Sequence, residues 1–583
     1  MDTLLKNVDE ITAELYRQLD EDDMSDADDS SSETEDRVLE NDNVVADDFQ
    51  LSSDEEYDEE IEADREFFLG KDQETIWSSQ PLSSKYSRTP SRNLVIRLPG
   101  PKGDAKGELI EVNCFSLFLT NYMVEKIVQY TNEEISIRSQ NYATKQYYLG
   151  PTNVIEIRAI IGLYLKAGIY HGISMADSFS VENGPPLFRA VMSFNRFKFL
   201  TYCLRFDSKL TRNERRVVDK FAAFREMWDL FTIQCKNNYT PSEYVTVDET
   251  LLSFRGRCPF KMYLPAKPDK YGLKIISICD AKTFYFYGGI PYIGKETRNR
   301  NDLLIPTQYV LNLVEPIMGT NRNVTTDNWF TSIELAEQLR VKKLTLVGTL
   351  RKNKREVPPH MLVVKNLPPM TTRFLHAPEM TLLSFSKTKN KNVLVLSTMH
   401  ETETINEISK KPEQIEFYNK TKGGVDVFDK LCHQYSSTRK TNRWPLRYFY
   451  GLLDAAAVNG YVIFKHNNLN QDKRFIRSKF ITTLAFQLLE PQLKVRQECP
   501  FLPKDLKETI EKILKIQPIE SAAPSGVNRH HGRCEFCRKM SVDRKGTSNC
   551  TKCHRSLCAQ HRLSICSTCD IKYQLLEEEI MME

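Results

Sequence analysis

The chain has 583 residues, which is too long for one hydrophobic core, so several domains are expected. Its net charge of +2 conceals a division, because residues 1–65 hold 26 Asp and Glu against four Lys and Arg. Since the whole chain has 80 Lys and Arg against 78 Asp and Glu, residues 66–583 carry 24 more positive than negative charges. This excess favours a polyanionic partner, most simply nucleic acid, with solubility alone as the alternative.

The sequence also argues against a secreted or membrane protein. It opens without the charged, apolar and small-residue pattern of a signal peptide, and its longest apolar runs, such as LLDAAAVNGYVIF, are too short to span a membrane. Of its 14 Cys residues, seven lie singly and seven lie between Cys534 and Cys569. Clustered Cys-x2-Cys pairs in a reducing compartment indicate metal binding, so we expect an intracellular chain with no membrane partner.

The predicted elements follow an acidic, Ser-rich stretch that has too little apolar content to order itself. Helical spacing starts near Asn113, and short runs rich in β-branched and aromatic residues start near Tyr244. NVTTD, SIELAEQLRV and KLTLVGTLR then form strand, helix and strand, which predicts a multidomain α/β chain. The predicted segments are an acidic disordered N-terminal region (1–95), a helical region (96–243), an α/β domain (244–435) with an insertion at about 356–417, a second helical region (436–515), a linker (516–532) and a cysteine-rich domain (533–572).

Three aspartates lie where an α/β sheet could bring them together. Asp248 follows the predicted strand VTV, Asp327 closes NVTTD, and Asp426 lies where a helix begins after two glycines. Each aspartate alone has a structural explanation, because Asp often forms a turn at the end of a strand and is favourable in the first turn of a helix. Three converging carboxylates would repel unless cations hold them, and two Mg2+ ions would support phosphoryl transfer on DNA. Arg255 and Arg257 would then face the DNA phosphates.

The sequence around these aspartates resembles the piggyBac transposases. The matching stretches are VTVDETLLSFRGRCPFKMYLPAKPDKYGLKI, VTTDNWFTSIELA, VGTLRKNKREVP and YNKTKGGVDVFDKLC followed by SSTRKTNRWP. The spacing also matches, with 79 residues from Asp248 to Asp327 and 99 from Asp327 to Asp426. Clear likeness runs from about Tyr244 to Phe464, with weaker likeness upstream and a matching cysteine-rich end.

The resemblance implies an RNase H-like catalytic domain in which Asp248, Asp327 and Asp426 hold two catalytic Mg2+ ions. Asp429 matches a further acidic residue important for activity, although a solvated helix face also explains it. The two helical segments are implied to form a DNA-binding and dimerisation domain.

The family implies a cut-and-paste reaction. A strand is nicked, its 3′ hydroxyl attacks the opposite strand to leave a hairpin on the transposon end, the hairpin is opened, and the ends join at TTAA. The expected partners are double-stranded DNA, as terminal repeats and TTAA target, and a second copy of the chain, in the nucleus. The alternative is a domesticated, sequence-specific DNA-binding protein without cleavage activity. The retained carboxylates favour the transposase, because binding alone gives no reason to keep them.

Two basic clusters lie just beyond predicted elements, one after the strand LTLVGTL and one after the helix that carries Asp426. One contains Arg351 and Lys354, and the other contains Arg439, Lys440 and Arg443. Lys and Arg supply the salt-dependent part of DNA affinity, although a charge run is usually a solvated face. The resemblance implies that Arg351 and Lys354 handle target DNA.

Two aromatic residues complete the predicted DNA contacts. The Trp444 side chain would by default pack against a neighbouring helix, but the resemblance implies that it stacks near the distorted transposon end. Tyr263 is a weaker candidate for contact near the TTAA site.

The cysteine-rich end has the ligand spacing of two closed, structural zinc sites. An interleaved pairing is expected, although sequential pairing is possible and His554 is a competing ligand. The module alone would also fit a ubiquitin ligase, a hypothesis that accounts only for this end of the chain. The expected ligands of the two Zn2+ ions are Cys534, Cys537, Cys558 and His561 for one and Cys550, Cys553, Cys566 and Cys569 for the other.

Overall fold

The structure, a computed structural model of the chain, divides into two compact units, Met1–Leu514 and Lys515–Glu583. The four cysteines Cys550, Cys553, Cys566 and Cys569 lie outside the described residues. Residues 8–17, 45–46, 66–81, 93–95, 97–144, 146–264, 269–294, 302–468, 476–515, 533–540, 548–549 and 556–561 are described.

Runs rich in β-branched and aromatic residues form the strands of the central region, because such side chains pack well on a pleated surface. The strands are β1 (Val45–Ala46), β2 (Phe67–Leu69), β3 (Ile76–Ser78), β4 (Gly100–Pro101), β5 (Tyr239–Thr240), β6 (Tyr244–Ser253), β7 (Met262–Tyr263), β8 (Tyr271–Asp280), β9 (Phe286–Pro291), β10 (Asn323–Thr326), β11 (Thr345–Leu350), β12 (Thr371–Ala377), β13 (Met380–Thr388), β14 (Lys391–Ser397), β15 (Ser548–Asn549) and β16 (Ser556–Leu557).

The helices lie before, between and after these strands, and several begin at a side-chain cap. The α-helices are α1 (8–17), α2 (Glu111–Ser116), α3 (Asn121–Ser139), α4 (Val154–Ile169), α5 (Met175–Ser178), α6 (Pro186–Val191), α7 (Phe194–Cys203), α8 (Arg212–Val218), α9 (Arg225–Asn238), α10 (Ile305–Val314), α11 (Ile333–Val341), α12 (Glu413–Thr421), α13 (Gly424–Gln434), α14 (Trp444–Asn467), α15 (Arg477–Gln497), α16 (Lys504–Leu514) and α17 (Glu535–Lys539). Short 3-10 helices lie at Gly103–Ala105, Tyr147–Leu149, Glu315–Ile317, Pro359–Met361 and Ala559–His561.

One mixed sheet of 12 strands forms the centre of the larger unit. Its order is β1-β7-β8-β6-β10-β11-β14-β13-β12-β3-β2, and β9 also pairs with β8. In the middle, β6 pairs antiparallel with β8 and parallel with β10, and β10 pairs parallel with β11. The predicted α/β character of the chain is confirmed, and the sheet is mixed.

The predicted insertion at about 356–417 contains an antiparallel meander of β12, β13 and β14. Strand β14 pairs antiparallel with β11, and β12 pairs with β3. The segment therefore extends the central sheet instead of standing apart from it.

The prediction of disorder for residues 1–95 is wrong for residues 8–17 and 66–81. Helix α1 buries Ile11 and Leu15, and the Thr12 hydroxyl donates a hydrogen bond to the Lys282 carbonyl at 2.6 Å. Acidic composition around α1 conceals its apolar residues at helical spacing.

Strands β2 and β3 form a hairpin that is anchored by Trp77. This side chain is fully buried, and its indole Nε1 donates to the Glu356 carbonyl at 2.9 Å. Burial of one large aromatic ring orders a short segment that lies next to an acidic stretch.

The two helical segments pack against each other although the α/β domain separates them in sequence. Helix α4 packs against α15, and α2 packs against α14. Helix α14 carries the long apolar run LLDAAAVNGYVIF and is buried along most of its length. Within the described ranges, no helix is long and apolar enough to cross a membrane.

Helix α13 begins against β6 because a glycine occupies its first position. A Cβ atom on Gly424 would lie 2.9 Å from the Cβ of Thr246, closer than real contacts allow. The Thr246 hydroxyl donates to the Thr421 carbonyl at 2.6 Å, which ties the preceding helix to the same strand. The position of α13 therefore depends on Gly424.

We predict that Gly424→Ala lowers the free energy of unfolding by about 1–3 kcal/mol, since the new methyl group overpacks the contact with β6. Gly423→Ala is the matched control, because a Cβ there would lie 3.7 Å from Val427, an ordinary contact. Urea unfolding followed by Trp fluorescence measures both. Equal stability of the two variants would show that α13 does not need the close approach.

Candidate functional site

Asp248 and Asp327 are placed side by side by strand register. The parallel pairing of β10 with β6 ends with Thr326 opposite Val247, and its continuation by one residue sets Asp327 beside Asp248. Asp248 lies inside β6 and not at its end as predicted, because the antiparallel pairing with β8 continues to Ser253. The parallel ladder nevertheless ends at Val247, one residue before Asp248, so the two carboxylates share one edge.

Asp426 joins them from the first turn of α13, where it is exposed. Its charge reaches Asp248: burial, then the charges of Asp327, Asp426 and Glu249, raises the pKa of Asp248 to about 8. Burial and the Glu249 charge also raise the pKa of Asp327. The structure thus places Asp248 and Asp327 on adjacent strands, with Asp426 near enough for its charge to act on Asp248. We name Asp248, Asp327 and Asp426 the aspartate site.

The aspartate site fits divalent cations through its chemistry. Carboxylate oxygens are the ligands that Mg2+ prefers, and the repulsion that raises the pKa of Asp248 is what a cation would relieve. Asp248, Asp327 and Asp426 would hold the ions. The assignment of these residues as ligands stays a prediction.

Glu249 is a fourth carboxylate at this place, and sequence analysis missed it. It forms an ion pair with Lys274 at 2.6 Å, and the Lys274 side chain is fully buried. The Lys274 ammonium also lies 4.5 Å from the centre of the Trp329 ring. The alternation of β6 and β8 could have shown that Glu249 and Lys274 share a face, but not that they are paired.

Tyr418 on α12 is a second residue that sequence analysis missed. Its hydroxyl lies 3.4 Å from the Thr349 hydroxyl. Burial raises its pKa to about 12, with further contributions from all three carboxylates of the aspartate site. The Tyr418 hydroxyl therefore stays protonated at neutral pH.

Asp429 lies one turn after Asp426 on α13. Its Oδ1 is 3.8 Å from Nε2 of His433. Both Asp429 and Asp248 contribute to the raised pKa of Cys279, after burial and Asp280, so both lie near the same part of β8. A role for Asp429 in supporting the aspartate site stays a prediction.

The first basic cluster reaches the aspartate site. Nε of Arg351 donates to the Asn328 side chain at 3.3 Å, and the Arg351 charge opposes the rise in the pKa of Asp327. Lys354 is partly buried, which lowers its pKa. Contact of Arg351 and Lys354 with DNA stays a prediction.

A strongly basic cavity of about 810 Å³ lies beside Trp444, and we name it the basic cavity. Eight Lys and Arg residues line it against one carboxylate, Asp207. Arg257 and Arg443 were predicted from sequence, whereas the other cations were not, because they come from separate helices and loops. The cations that sequence analysis missed are Arg138, Arg205, Arg212, Arg216, Lys220 and Lys261.

Trp444 both packs and faces the basic cavity. Its ring stacks on Phe221 at 5.5 Å and meets Phe260 edge-on at 5.1 Å. It is only partly buried, so one side remains in the cavity lining. Trp444 therefore packs against aromatic neighbours, and its stacking on DNA stays a prediction.

The remaining predicted DNA contacts are spread more widely. Arg255 is exposed after β6, and Tyr263 lies on β7 with its ring 4.8 Å from that of Tyr271. Arg439 and Lys440 line a second cavity, which shares Arg443 with the basic cavity. DNA binding by these residues stays a prediction.

The smaller unit contains a compact metal-ligand cluster. Nδ1 of His561 lies 3.5 Å from the sulfur atoms of Cys534, Cys537 and Cys558. The sulfurs of Cys537 and Cys558 are 3.7 Å apart. A tetrahedral zinc ion with usual bond lengths places two sulfurs about 3.8 Å apart and sulfur and nitrogen about 3.6 Å apart.

These spacings fit zinc, and the first predicted ligand set is brought together as expected. Within the described residues, this is the one group of three or more such ligands whose atoms all lie within 4.8 Å of one another. The second predicted ligand set, Cys550, Cys553, Cys566 and Cys569, lies outside the described residues.

Known proteins resemble the chain in sequence and in fold. The family model described as Transposase IS4 matches residues 111–461. Human PiggyBac transposable element-derived protein 3 is 25% identical over 353 residues, which cover 56% of this chain and 56% of that protein. The human Chimeric ERCC6-PGBD3 protein is 25% identical over 353 residues, covering 56% of this chain and 32% of that protein. The chain thus matches only part of the length of these curated relatives.

A solved structure extends the likeness to most of the chain. It is described as the cryo-EM structure of piggyBac transposase synaptic complex with hairpin DNA, and it is 37% identical with a TM-score of 0.70. The match covers 81% of this chain and 100% of that chain. Together with the family model, this defines the class of the protein as a transposase. The chain belongs to the piggyBac transposase family, which confirms the resemblance seen in the sequence.

We predict that added Mg2+ raises the unfolding temperature more at pH 8 than at pH 6. The pKa of Asp248 rises from 3.8 to about 8 on folding, so the folded chain holds a proton there that the unfolded chain lacks. Without metal, the stability contributed by the protonated Asp248 carboxyl group is lost as pH rises through about 8. The Asp248 carboxylate that forms at the higher pH can then bind Mg2+. Thermal unfolding measures the increment, and Asp248→Asn should remove it. An increment independent of pH in the unaltered chain would contradict the expected competition.

We also predict that Cys558→Ser lowers the zinc content of the purified full chain by at least one ion per molecule, because a structural zinc site needs all four ligands. Elemental analysis by mass spectrometry measures the content. Cys499→Ser is the matched control, since Cys499 is an exposed free thiol in the larger unit. Unchanged zinc in Cys558→Ser would show that the cluster does not hold the metal.

Proposed function

We propose that the chain is a cut-and-paste DNA transposase that cleaves and transfers DNA strands with divalent metal. The observation that supports the proposal is the raised pKa of Asp248, to which burial and the charges of Asp327 and Asp426 contribute. Such a cluster is costly for a protein that only binds DNA, because neighbouring carboxylates repel one another. Metal-dependent chemistry gives the cluster a use.

An RNase H-like catalytic domain is part of this proposal. The order β9-β8-β6-β10-β11 supports it, with three antiparallel strands followed by two parallel ones. The aspartate site then lies on β6, at the end of β10 and on α13, the helix that packs against β6 and β8. Two Mg2+ ions would activate the attacking water or 3′ hydroxyl and stabilise the leaving oxygen.

The chain's own residues would position the DNA for this reaction. The basic cavity would hold the phosphate backbone, since its cations supply the nonspecific part of affinity. Arg351 lies close enough to Asp327 to influence its pKa and would contact the phosphate at the cleaved position. The Trp444 ring would stack on a base next to the break.

The rest of the proposed reaction follows the family. The structural relative is described with hairpin DNA, and we extend to this chain a hairpin intermediate on terminal-repeat DNA and joining at TTAA. A homodimer acting in the nucleus completes the proposal. Its support is the family alone.

A domesticated DNA-binding protein without cleavage activity is the second candidate. The curated human relative is named as a transposable element-derived protein, which favours weighing this class. Both candidates need the basic cavity, but only the transposase needs the aspartate site. Cleavage therefore separates them.

We predict Mg2+-dependent nicks and hairpins on a duplex that carries the terminal repeat of the chain's own element beside TTAA. Asp327→Ala should lower the cleavage rate by more than about 100-fold. Loss of a residue that only supports a metal ligand can already lower activity about 100-fold, and loss of a ligand itself should cost more. Denaturing gel electrophoresis of end-labelled DNA measures both strands.

Asp229→Ala is the matched control, because this carboxylate lies on α9 with more than half of its side chain exposed. It should cleave like the unaltered chain. Tight binding of the correct ends without cleavage would reject the transposase and favour the domesticated binding protein.

A further inference from the structure

A second large cavity lies beside the basic cavity and has a different character. Its volume is about 580 Å³, within the range of about 300–1,000 Å³ for sites that hold small organic groups. Aromatic rings make up much of its lining, including Tyr142, Tyr148, Phe199, Tyr202 and Tyr450. We name it the aromatic cavity.

The rings of the aromatic cavity combine a buried floor with exposed walls. Phe199 and Tyr450 are 5% and 1% exposed, whereas Tyr142 and Tyr202 are 44% and 57% exposed. The Tyr142 ring meets Phe199 edge-on at 6.1 Å. Exposed rings fixed against a buried floor offer flat apolar faces to a planar ligand.

The aromatic cavity is also positively charged. Lys198, Arg439, Lys440 and Arg443 line it, and its lining residues, all of them in the described part of the chain, include no Asp or Glu. Nε of Arg439 is buried and has no hydrogen-bond partner. Burial lowers the pKa of both arginines, that of Arg443 to about 10. Cations in such a place are stabilised by an incoming anion.

The two cavities meet at shared residues. Tyr202 and Arg443 line both of them. The Arg138 guanidinium, which lines the basic cavity, lies 3.9 Å from the centre of the Tyr202 ring. A DNA strand whose phosphates follow the basic cavity would therefore bring its bases to the mouth of the aromatic cavity.

We propose that the aromatic cavity receives an unpaired base of the DNA whose backbone the basic cavity holds. The inference rests on the proposed function, in which a hairpin turn leaves bases unpaired. Tyr142 and Tyr202 provide the stacking faces, and Arg439 and Lys440 meet the flanking phosphates. Stacking between a base and an aromatic ring tolerates any base, so this site recognises unpaired structure and not sequence.

This site is distinct from Trp444, which lines the basic cavity only. A protein that extrudes a base must compensate for the lost stacking within the duplex, and an aromatic pocket does so. The aromatic cavity thus adds a second stacking position to the one that the resemblance implies.

The test compares binding of two DNA probes to the full chain, without added Mg2+. One is a fully paired duplex, and the other is the same duplex with a few unpaired thymidines in one strand. The unaltered chain should prefer the second probe. Tyr142→Ala should lower the affinity for the probe with unpaired thymidines about 10-fold, the size of the contribution expected from one base-aromatic stack. The affinity for the fully paired duplex should not change. Fluorescence anisotropy measures both affinities.

Tyr142→Phe is the matched control, because it keeps the ring and should keep the preference. Thermal unfolding of Tyr142→Ala shows whether the fold is intact, which the exposure of Tyr142 favours. Equal loss on both probes, or no loss on either, would overturn the inference. If the unaltered chain binds both probes alike, the inference fails and the proposed function stands. If it binds neither, the proposed function fails as well.

Photo-crosslinking locates the base directly. With 5-iododeoxyuridine at the unpaired position, the crosslinked peptides should contain Tyr142 or Tyr202. Crosslinks at Trp444 alone would place the unpaired base in the basic cavity and overturn the inference.

Discussion

The close approach of α13 to β6 is the contact on which the aspartate site depends. Gly424 lies against Thr246 without room for a side chain. The hydroxyl groups of Thr246 and Thr325 donate to the Thr421 carbonyl and hydroxyl, at the end of α12. Hydrogen bonds thus tie the corner between α12 and α13 to two neighbouring strands, just before their aspartates. The carboxylates repel one another, so they stay together only because these elements are fixed.

Charge balance at the aspartate site depends on the buried pair of Glu249 and Lys274. A fully buried ammonium group needs a partner, and Glu249 supplies it. Because Lys274 compensates Glu249, the three aspartates are the carboxylates left to meet cations. Two Mg2+ ions would bring more positive charge than three carboxylates neutralise, and a DNA phosphate would supply the difference. If the aspartate site holds two Mg2+ ions, the charges would thus favour binding of metal and DNA together over metal alone.

Sequence patterns predicted the parts of the site that depend on local chemistry. Asp426 at the start of a helix followed from two glycines, and the Cys534 ligand set followed from interleaved Cys-x2-Cys and Cys-x2-His spacing. Pairing between distant strands could not be predicted in this way. The position of Asp248 inside β6 depends on β8, and the ion pair of Glu249 with Lys274 joins residues on two strands. Both features depend on how β6 is aligned with β8, and the sequence of one strand does not specify its alignment with a distant strand.

Residues 435–443 form the loop before α14 and contain Arg439, Lys440 and Arg443. The structure gives these three cations different roles, which the sequence does not show. Asp454, buried on α14, accepts a hydrogen bond from the Ser437 amide at 2.7 Å. At the other end of the loop, Arg443 donates to backbone carbonyls at the end of α7. Both ends are therefore fixed, and Arg439 and Lys440 are held between them. Side chains on a fixed segment lose less conformational entropy when they bind phosphate. Composition alone would give Arg439, Lys440 and Arg443 the same role. In the structure, Arg443 lines both cavities and anchors the loop that carries Arg439 and Lys440.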